Sequence, residues 1–490
     1  MTYLNASSPI RASLRSKNPA LLVAIQRSFS AYLRAQPINN VKAGGSAVAS
    51  REPLCLHART RRAQALRTFS ATSAAAKKGV ADHYPWELTM ESERHKKRKP
   101  PPAPRPSASV LLVSPTNQVL MLKRVQSSLA FPSAHVFPGG NLSEFHEGVI
   151  PPADDPACHE DSLAYRLGAI RETFEESGIL LARENANPGG VSGVTPALLT
   201  LPPSEKAEGR RAVYANEKRF VDWVEEVGGV VDTDGLIPFT RWITPLENRR
   251  RFTTQMYLYM LPISTMRRDP VMVPITTAEP KPVEMDALIP TPDGGVEHTA
   301  AVFDYPAKFL RTHRLSQATL YPPQYYLLDL VSKFFTGPPS PDPLSPSESP
   351  SQSVMEAYYE DQRERLLNFI NKVPTASTPF ADQHPTSRIP WAQKVMSPKK
   401  IGIARDERTV LAVDRPGPEL KGTDRGGDYE RVMLARLGMG TADIEVRPRE
   451  QISAELEALR HEEAELNRLI FDTRGPEEEK KRLKGLGYKL

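Results

Sequence analysis

Apolar residues along 108–141 fall into three short runs separated by turn-forming residues. "ASVLLVS" (108–114) and "QVLMLKR" (118–124) flank "PTN", which predicts strand, turn and strand, and "AHVFPGGN" (134–141) predicts a third strand ending on Pro-Gly-Gly. Helical periodicity follows: one helix is expected over about 161–182, and a second within 202–229, where Phe220, Val224 and Val227 recur at core spacing. "IPFTRWITP" (237–245) and "RRRFTTQMYLYMLPI" (249–263) return to strand character, rich in β-branched and aromatic residues. "YPPQYYLLDLVSKFF" (321–335) predicts a helix that starts after its double proline. Beyond a Pro/Ser-rich stretch at 337–353 the pattern predicts a helix over 354–371, strands in "RTVLAVDRPGPEL" and "YERVMLARL", and a last helix over about 449–472. That helix carries Ile452, Leu456, Leu459, Leu466 and Ile470 near heptad spacing, and is expected to dock on its own domain.

Composition changes this picture mainly at the ends. The 47 prolines against 28 glycines point to long irregular stretches. The net charge of +6 conceals an uneven distribution: residues 1–80 hold thirteen Lys or Arg and a single acid, Glu52, so the other 410 residues are net acidic. The basic pI therefore gives no reason to expect a nucleic-acid partner. Segment 1–80, rich in Arg, Ser and Ala, reads as a mitochondrial presequence, with "NPALLVAIQRSFSAYLRAQ" (18–36) able to form a basic amphipathic helix. The C-terminal "YKL" departs from the peroxisomal S-K-L signal at Tyr488, which leaves peroxisomes as the alternative address. Residues 81–107 read as a basic, proline-rich linker. No apolar run approaches the roughly 18 residues of a membrane span. Two cysteines, Cys55 and Cys158, argue against a disulfide framework or a cysteine-based zinc site.

The candidate chemistry lies in "RETFEESGI" (171–179). At about 100° per residue, Leu163, Leu167, Ile170 and Phe174 share one face, and Glu172, Glu175 and Glu176 gather on the other. A solvated face would normally place Lys four residues from such glutamates; here the four-apart partners are Glu176 and Ile179. Like charges relieved only by Arg171 suggest an external cation, and grouped carboxylates are hard oxygen ligands suited to Mg²⁺ or Mn²⁺.

"RETFEESGI" together with "FPGG" (137–140) resembles the box of the Nudix hydrolases, R-E-U-x-E-E-x-G-U with a glycine loop upstream, where U is a bulky aliphatic residue. The resemblance implies an α/β fold, a Nudix-type α/β/α sandwich with a mixed sheet over 108–336. Around it are expected a disordered N-terminal region and an α+β C-terminal extension (354–490). It also implies metal-dependent hydrolysis of a diphosphate bond. Two departures stand out. Thr173 takes a position usually aliphatic, and Gly140 lies thirty-one residues before Arg171 where the family has fourteen, an insertion of seventeen. The family's upstream glutamate, eight residues before the arginine, would fall on Leu163, so Asp161 or Glu160 is expected to replace it.

An interrupted box resembles the peroxisomal coenzyme A diphosphatase branch (nudix motif 19 type), echoed in "RWITP" (241–245) and "LYPPQYY" (320–326). That branch implies coenzyme A or acyl-CoA as substrate, cleaved to 4′-phosphopantetheine and 3′,5′-ADP. The alternatives are ADP-ribose or NADH, or a catalytically silent Nudix-fold subunit of a mitochondrial assembly. By resemblance, Glu172, Glu175 and Glu176 are metal ligands, with Glu172 or Glu176 the base, and the Gly140 carbonyl is a further ligand. Arg171 orients the glutamates. Arg124, Arg249 and Arg251 are candidate substrate contacts, and Glu297 is a candidate late acid.

Overall fold

The computed structural model describes residues 101–125, 134–185, 196–263, 290–291, 298–339, 350–437 and 442–474. The presequence-like segment, most of the linker that follows it, and Glu297 lie outside these residues. The first two runs form β1 (Arg105–Val113) and β2 (Val119–Arg124), and the third divides into β3 (His135–Val136) and β4 (Gly139–Asn141). A short helix α1 (Glu144–Glu147) leads through the insertion to α2 (Leu163–Ser177). Strand β5 (Ala182–Glu184), helices α3 (Pro203–Tyr214) and α4 (Phe220–Glu226), and strands β6 (Gly229–Val231), β7 (Ile237–Ile243) and β8 (Phe252–Met260) follow. Beyond them come β9 (His298–Asp304), α5 (Pro306–Arg314), α6 (Pro322–Val331) and α7 (Gln352–Asn371).

The central sheet has the order β10-β7-β8-β1-β2-β3, where β10 is Val395–Met396; β4 also pairs with β1, and β9 with β2. It is mixed: β1 runs parallel to β8 and antiparallel to β2 and β4. Alternation along its strands supplies two faces. Val110 and Leu112 of β1, with Tyr257 and Tyr259 of β8, pack under α2, α3 and α4. Leu111, Val113, Met256 and Leu258 pack under α5, α6 and α7. The fold is thus an α/β/α sandwich on a mixed sheet. Among the described residues no helix is long and apolar enough to cross a membrane.

The described part of 354–490, expected as a separate extension, joins the same body. β10 adds parallel to β7 at the edge of the central sheet. Leu366 and Ile370 of α7 are buried in the core, as are Leu411 and Met433 of a second sheet. That sheet comprises β11 (Lys399–Ile403), β12 (Thr409–Val413), β13 (Asp428–Leu437) and β14 (Ala442–Pro448). After the short helix α8 (Pro379–Asp382), the terminal α9 (Arg449–Arg474) docks on this sheet through Ile452 and Leu456. Leu466 is half exposed, so the heptad stripe is not buried at that position.

A polar network fastens α7 to the β1–β2 turn. Buried Arg363 donates from Nε to Asn117 Oδ1 (2.8 Å), from Nη1 to the Leu261 carbonyl (2.9 Å) and from Nη2 to the Ser114 carbonyl (2.8 Å). Asn117, in the left-handed region at φ 58°, returns two hydrogen bonds, to the Tyr359 carbonyl (2.9 Å) and to Gln362 Oε1 (3.1 Å). Burial lowers the Arg363 pKa to about 10, so the guanidinium stays charged at neutral pH.

Candidate active site

Helix α2 is held on three sides. Phe174 stacks on Trp223 of α4 with ring centroids 4.9 Å apart, and Ile170 and Tyr165 face the sheet. Its end is a glycine cap: Gly178 adopts φ 71°, and its N–H bonds the Phe174 carbonyl. Arg210 of α3 clamps the same end, donating Nε to the Glu175 carbonyl at 2.6 Å. The expected apolar face needs one correction. Leu163 is 61% exposed, because the first turn of α2 overhangs the core, and Tyr165 and Ala169 fill the buried stripe instead.

The carboxylates meet Arg171, which is 4% exposed. Its guanidinium lies 3.0 Å from Glu172 Oε1, 3.0 Å from Glu175 Oε1 and 2.7 Å from Glu147 Oε1. It also donates to the Asn141 carbonyl at 3.0 Å, tying α2 to β4. Burial works against the arginine charge, but Glu172 and Glu147, then Glu175, outweigh it and raise its pKa. Arg171, expected to orient the glutamates, thus touches two of the three predicted ones, Glu172 and Glu175.

Glu147 is the acid that counting along the sequence missed. It accepts the Ser143 N–H (2.5 Å) and lies against Gly168 of α2. It stands 24 residues before Arg171, while Gly140 stands only seven before it, so nearly all of the insertion falls between Glu147 and α2. Counting back from the arginine therefore lands inside the insertion, where Asp161 is paired elsewhere and Glu160 is exposed. Asp161 accepts from the Tyr257 hydroxyl and pairs with Arg166 at 2.8 Å. Glu160 gives its carbonyl to Arg241 Nη2 (2.8 Å). The sequence signal for it was an acid seven residues after Gly140, just beyond the glycine loop.

The glycine loop comes close to the glutamates. Gly139 N–H donates to Glu176 Oε2 at 2.7 Å, and a Cβ at Gly140 would stand 2.5 Å from the Glu172 carboxyl carbon. Glu176 Oε1 in turn faces His298 Nε2 of β9 at 3.6 Å. Burial pushes the pKa of Glu172, 16% exposed, up to about 7; Arg171 pulls it down, and Glu175 and Glu147 push it further up. Gly140→Ala is accordingly expected to displace the Glu172 side chain, which can swing away, and to leave the fold intact. A misplacement of this size costs on the order of 10²-fold in turnover, with little change in thermal midpoint; kinetics and calorimetry on one preparation check both.

The remaining candidates separate. Arg124 ends β2 directly opposite His298 in the β2–β9 register, on the strand pair beside the glutamates. Arg249 is exposed on the β7–β8 turn. Arg251 is a correction: it is 3% exposed, with Nη1 2.5 Å from Glu419 and Nε bonded to the Thr244 carbonyl at 3.0 Å. Its strand-start position turns it toward the C-terminal region instead of a ligand.

Carboxylates held in a row by one helix, a glycine loop against them and an arginine tying loop to helix form the interrupted box in space. Residues 152–274 match the model of the NUDT19 Nudix domain. Over that stretch the chain is similar to a Nudix domain. It is 28% identical over 255 residues to the acyl-coenzyme A diphosphatase NUDT19 of Gallus gallus, covering 44% of this chain and 61% of that protein. To the protein of the same description from Xenopus laevis it is 27% identical over 256 residues, covering 44% and 60%. The chain thus spans about three fifths of the length of these relatives. A crystal structure of a NUDIX hydrolase from Alicyclobacillus acidocaldarius aligns over 46% of this chain and 90% of that one, at 22% identity and a TM-score of 0.31. The matched stretch begins after Glu147, so it does not include Gly139, Gly140 or Glu147.

Among the described residues no three His, Cys, Asp or Glu side chains stand as a ready metal-ligand group. The fit to a divalent cation lies in the charge balance. Glu147, Glu172 and Glu175 share the Arg171 guanidinium, and Glu172 is held up near neutrality. Such an anionic, oxygen-only cluster suits Mg²⁺ or Mn²⁺.

Proposed function

We propose that the chain is a Nudix pyrophosphohydrolase that cleaves the diphosphate of coenzyme A or an acyl-CoA, giving 4′-phosphopantetheine, or its acyl form, and 3′,5′-ADP. The observation that carries the reading is the Arg171 centre, which gathers Glu147, Glu172 and Glu175 beside the glycine loop. The printed activity of the relatives, acyl-coenzyme A diphosphatase, supports the substrate class.

Glu172, Glu175 and Glu176 would hold Mg²⁺ or Mn²⁺, with the Gly140 carbonyl as a further oxygen. When bound, such an ion neutralises diphosphate charge and lowers the pKa of a coordinated water. The chain's own groups do the rest. Arg171 fixes Glu172 and Glu175 in one orientation through a buried guanidinium that cannot deprotonate. The Gly139 N–H orients Glu176, and Glu172 or Glu176 is the proposed acceptor of the attacking water's proton. Arg124, at the end of β2 opposite His298, is the proposed contact for a substrate phosphate.

Purified protein incubated with Mg²⁺ or Mn²⁺ and, in turn, coenzyme A, an acyl-CoA, ADP-ribose and NADH tests this. Release of 3′,5′-ADP from the first two, with the others slower, is the expected result. Turnover of ADP-ribose without any from coenzyme A would move the reading to another nucleotide diphosphate. No turnover of any, with co-migration in a large assembly, would mark a silent subunit.

A further inference from the structure

The pair formed by Glu176 and His298 is not explained by packing alone. His298 is 0% exposed, and its Nε2 faces Glu176 Oε1 at 3.6 Å while the other carboxylate oxygen takes the Gly139 N–H at 2.7 Å. Glu176 is itself only 6% exposed, so its carboxylate is confined between an amide of the glycine loop and an imidazole from β9. The strand is adapted at this point. The β2–β9 register runs one to one from Val119↔Asp304 to Lys123↔Ala300, then slips, so that Arg124 stands opposite His298. A register slip of this kind re-aims a side chain, and such slips concentrate beside functional sites.

We propose that His298 is a positioning residue for Glu176. Its imidazole closes the second side of the carboxylate, the Gly139 amide holds the first, and the two together fix the orientation in which Glu176 serves a divalent cation. Outer partners of metal-binding carboxylates act in this way, and their removal typically costs roughly 10–100-fold in metal affinity or activity. The inference rests on the Nudix reading for the cation, but it concerns the placement of one side chain and has a readout independent of turnover.

The test compares wild type, His298→Gln and His298→Ala by Mn²⁺ titration followed by electron paramagnetic resonance, with steady-state kinetics and thermal midpoints on the same samples. His298→Gln, whose amide nitrogen can stand near Nε2, is expected to stay within about threefold of wild type. His298→Ala is expected to lose roughly 10-fold or more in Mn²⁺ affinity and in kcat, with KM within about threefold. Wild-type Mn²⁺ affinity in His298→Ala overturns the proposal, and so does equal damage in both variants that follows the folded fraction. Should wild type bind Mn²⁺ but hydrolyse no diphosphate, the enzymatic reading fails, and the change in Mn²⁺ affinity still decides the role of His298. A wild-type protein that binds no Mn²⁺ sinks both.

Discussion

Replacing Glu172 with glutamine is expected to remove hydrolysis and, at the same time, to make the metal-free protein more stable above neutral pH. Glu172→Gln keeps the shape of the side chain and deletes the carboxylate. Loss of a carboxylate that serves the cation or takes the proton of the attacking water costs roughly 10²–10⁴-fold in kcat. The stability effect follows from the raised pKa. The folded-state value is about 7 against an ordinary 4.5, so the neutral acid is the form that suits the folded site. Its favourable contribution is complete below about 4.5 and is lost as pH rises to about 7. The amide never ionises, so the variant avoids a penalty on the order of 2–3 kcal/mol at pH 8. Urea denaturation in EDTA at pH 4 and pH 8 measures it: the curves should separate at pH 8 and nearly coincide at pH 4. Added Mn²⁺ should restore the wild type and leave the variant unchanged. A variant that tracked wild type at both pH values would remove the claim that Glu172 is strained by burial.

Arg363→Met is expected to destabilise the whole body, although the residue lies beyond the Pro/Ser-rich stretch. The substitution roughly preserves volume and leaves the Leu261 carbonyl and Asn117 Oδ1 without their buried donor, while the Ser114 carbonyl keeps only the Asn117 N–H at 3.0 Å. Unsatisfied buried acceptors cost about 1–3 kcal/mol each, part of which relaxation recovers, so a loss of about 3–5 kcal/mol is expected. The denaturation midpoint should fall with an unchanged slope, as befits one cooperative unit. A loss below about 1 kcal/mol would show that α7 is not fastened through this network.

What could be read from the sequence divides along physical lines. The carboxylate row was legible because helix geometry fixes which of Glu172, Glu175 and Glu176 share a face, and Arg171 reaches its i+4 partner on the same helix. Strands β1, β2, β7 and β8 were legible because both faces of the sheet are covered, which leaves continuous apolar runs. Strands β9 and β14 were missed. "HTAAVFD" and "ADIEVRP" carry too few large apolar residues to stand out, and they become strands by pairing with β2 and β13. Glu147 was missed because its partner is set by folding and not by a fixed interval. Arg251 was misjudged because nothing local announces Glu419, which lies far along the chain.

The stretch from Gly148 to Ser162 also bears on how such sites persist as chains change. Both of its ends are anchored, Glu147 on Arg171 and Asp161 on Tyr257 and Arg166, and its middle gives Cys158 and Glu160 carbonyls to Arg241. Lengthening a tether between fixed points from eight residues to 24 costs about 1 kcal/mol in closure entropy. That is less than one well-made hydrogen-bond pair to a buried charge can return. Spacing between the glycine loop and the helix is therefore nearly free to drift. The requirement that does not drift is spatial: a carboxylate must reach the buried face of the arginine. A search for further members of this group would do better to follow that salt bridge through three dimensions than to count residues between letters.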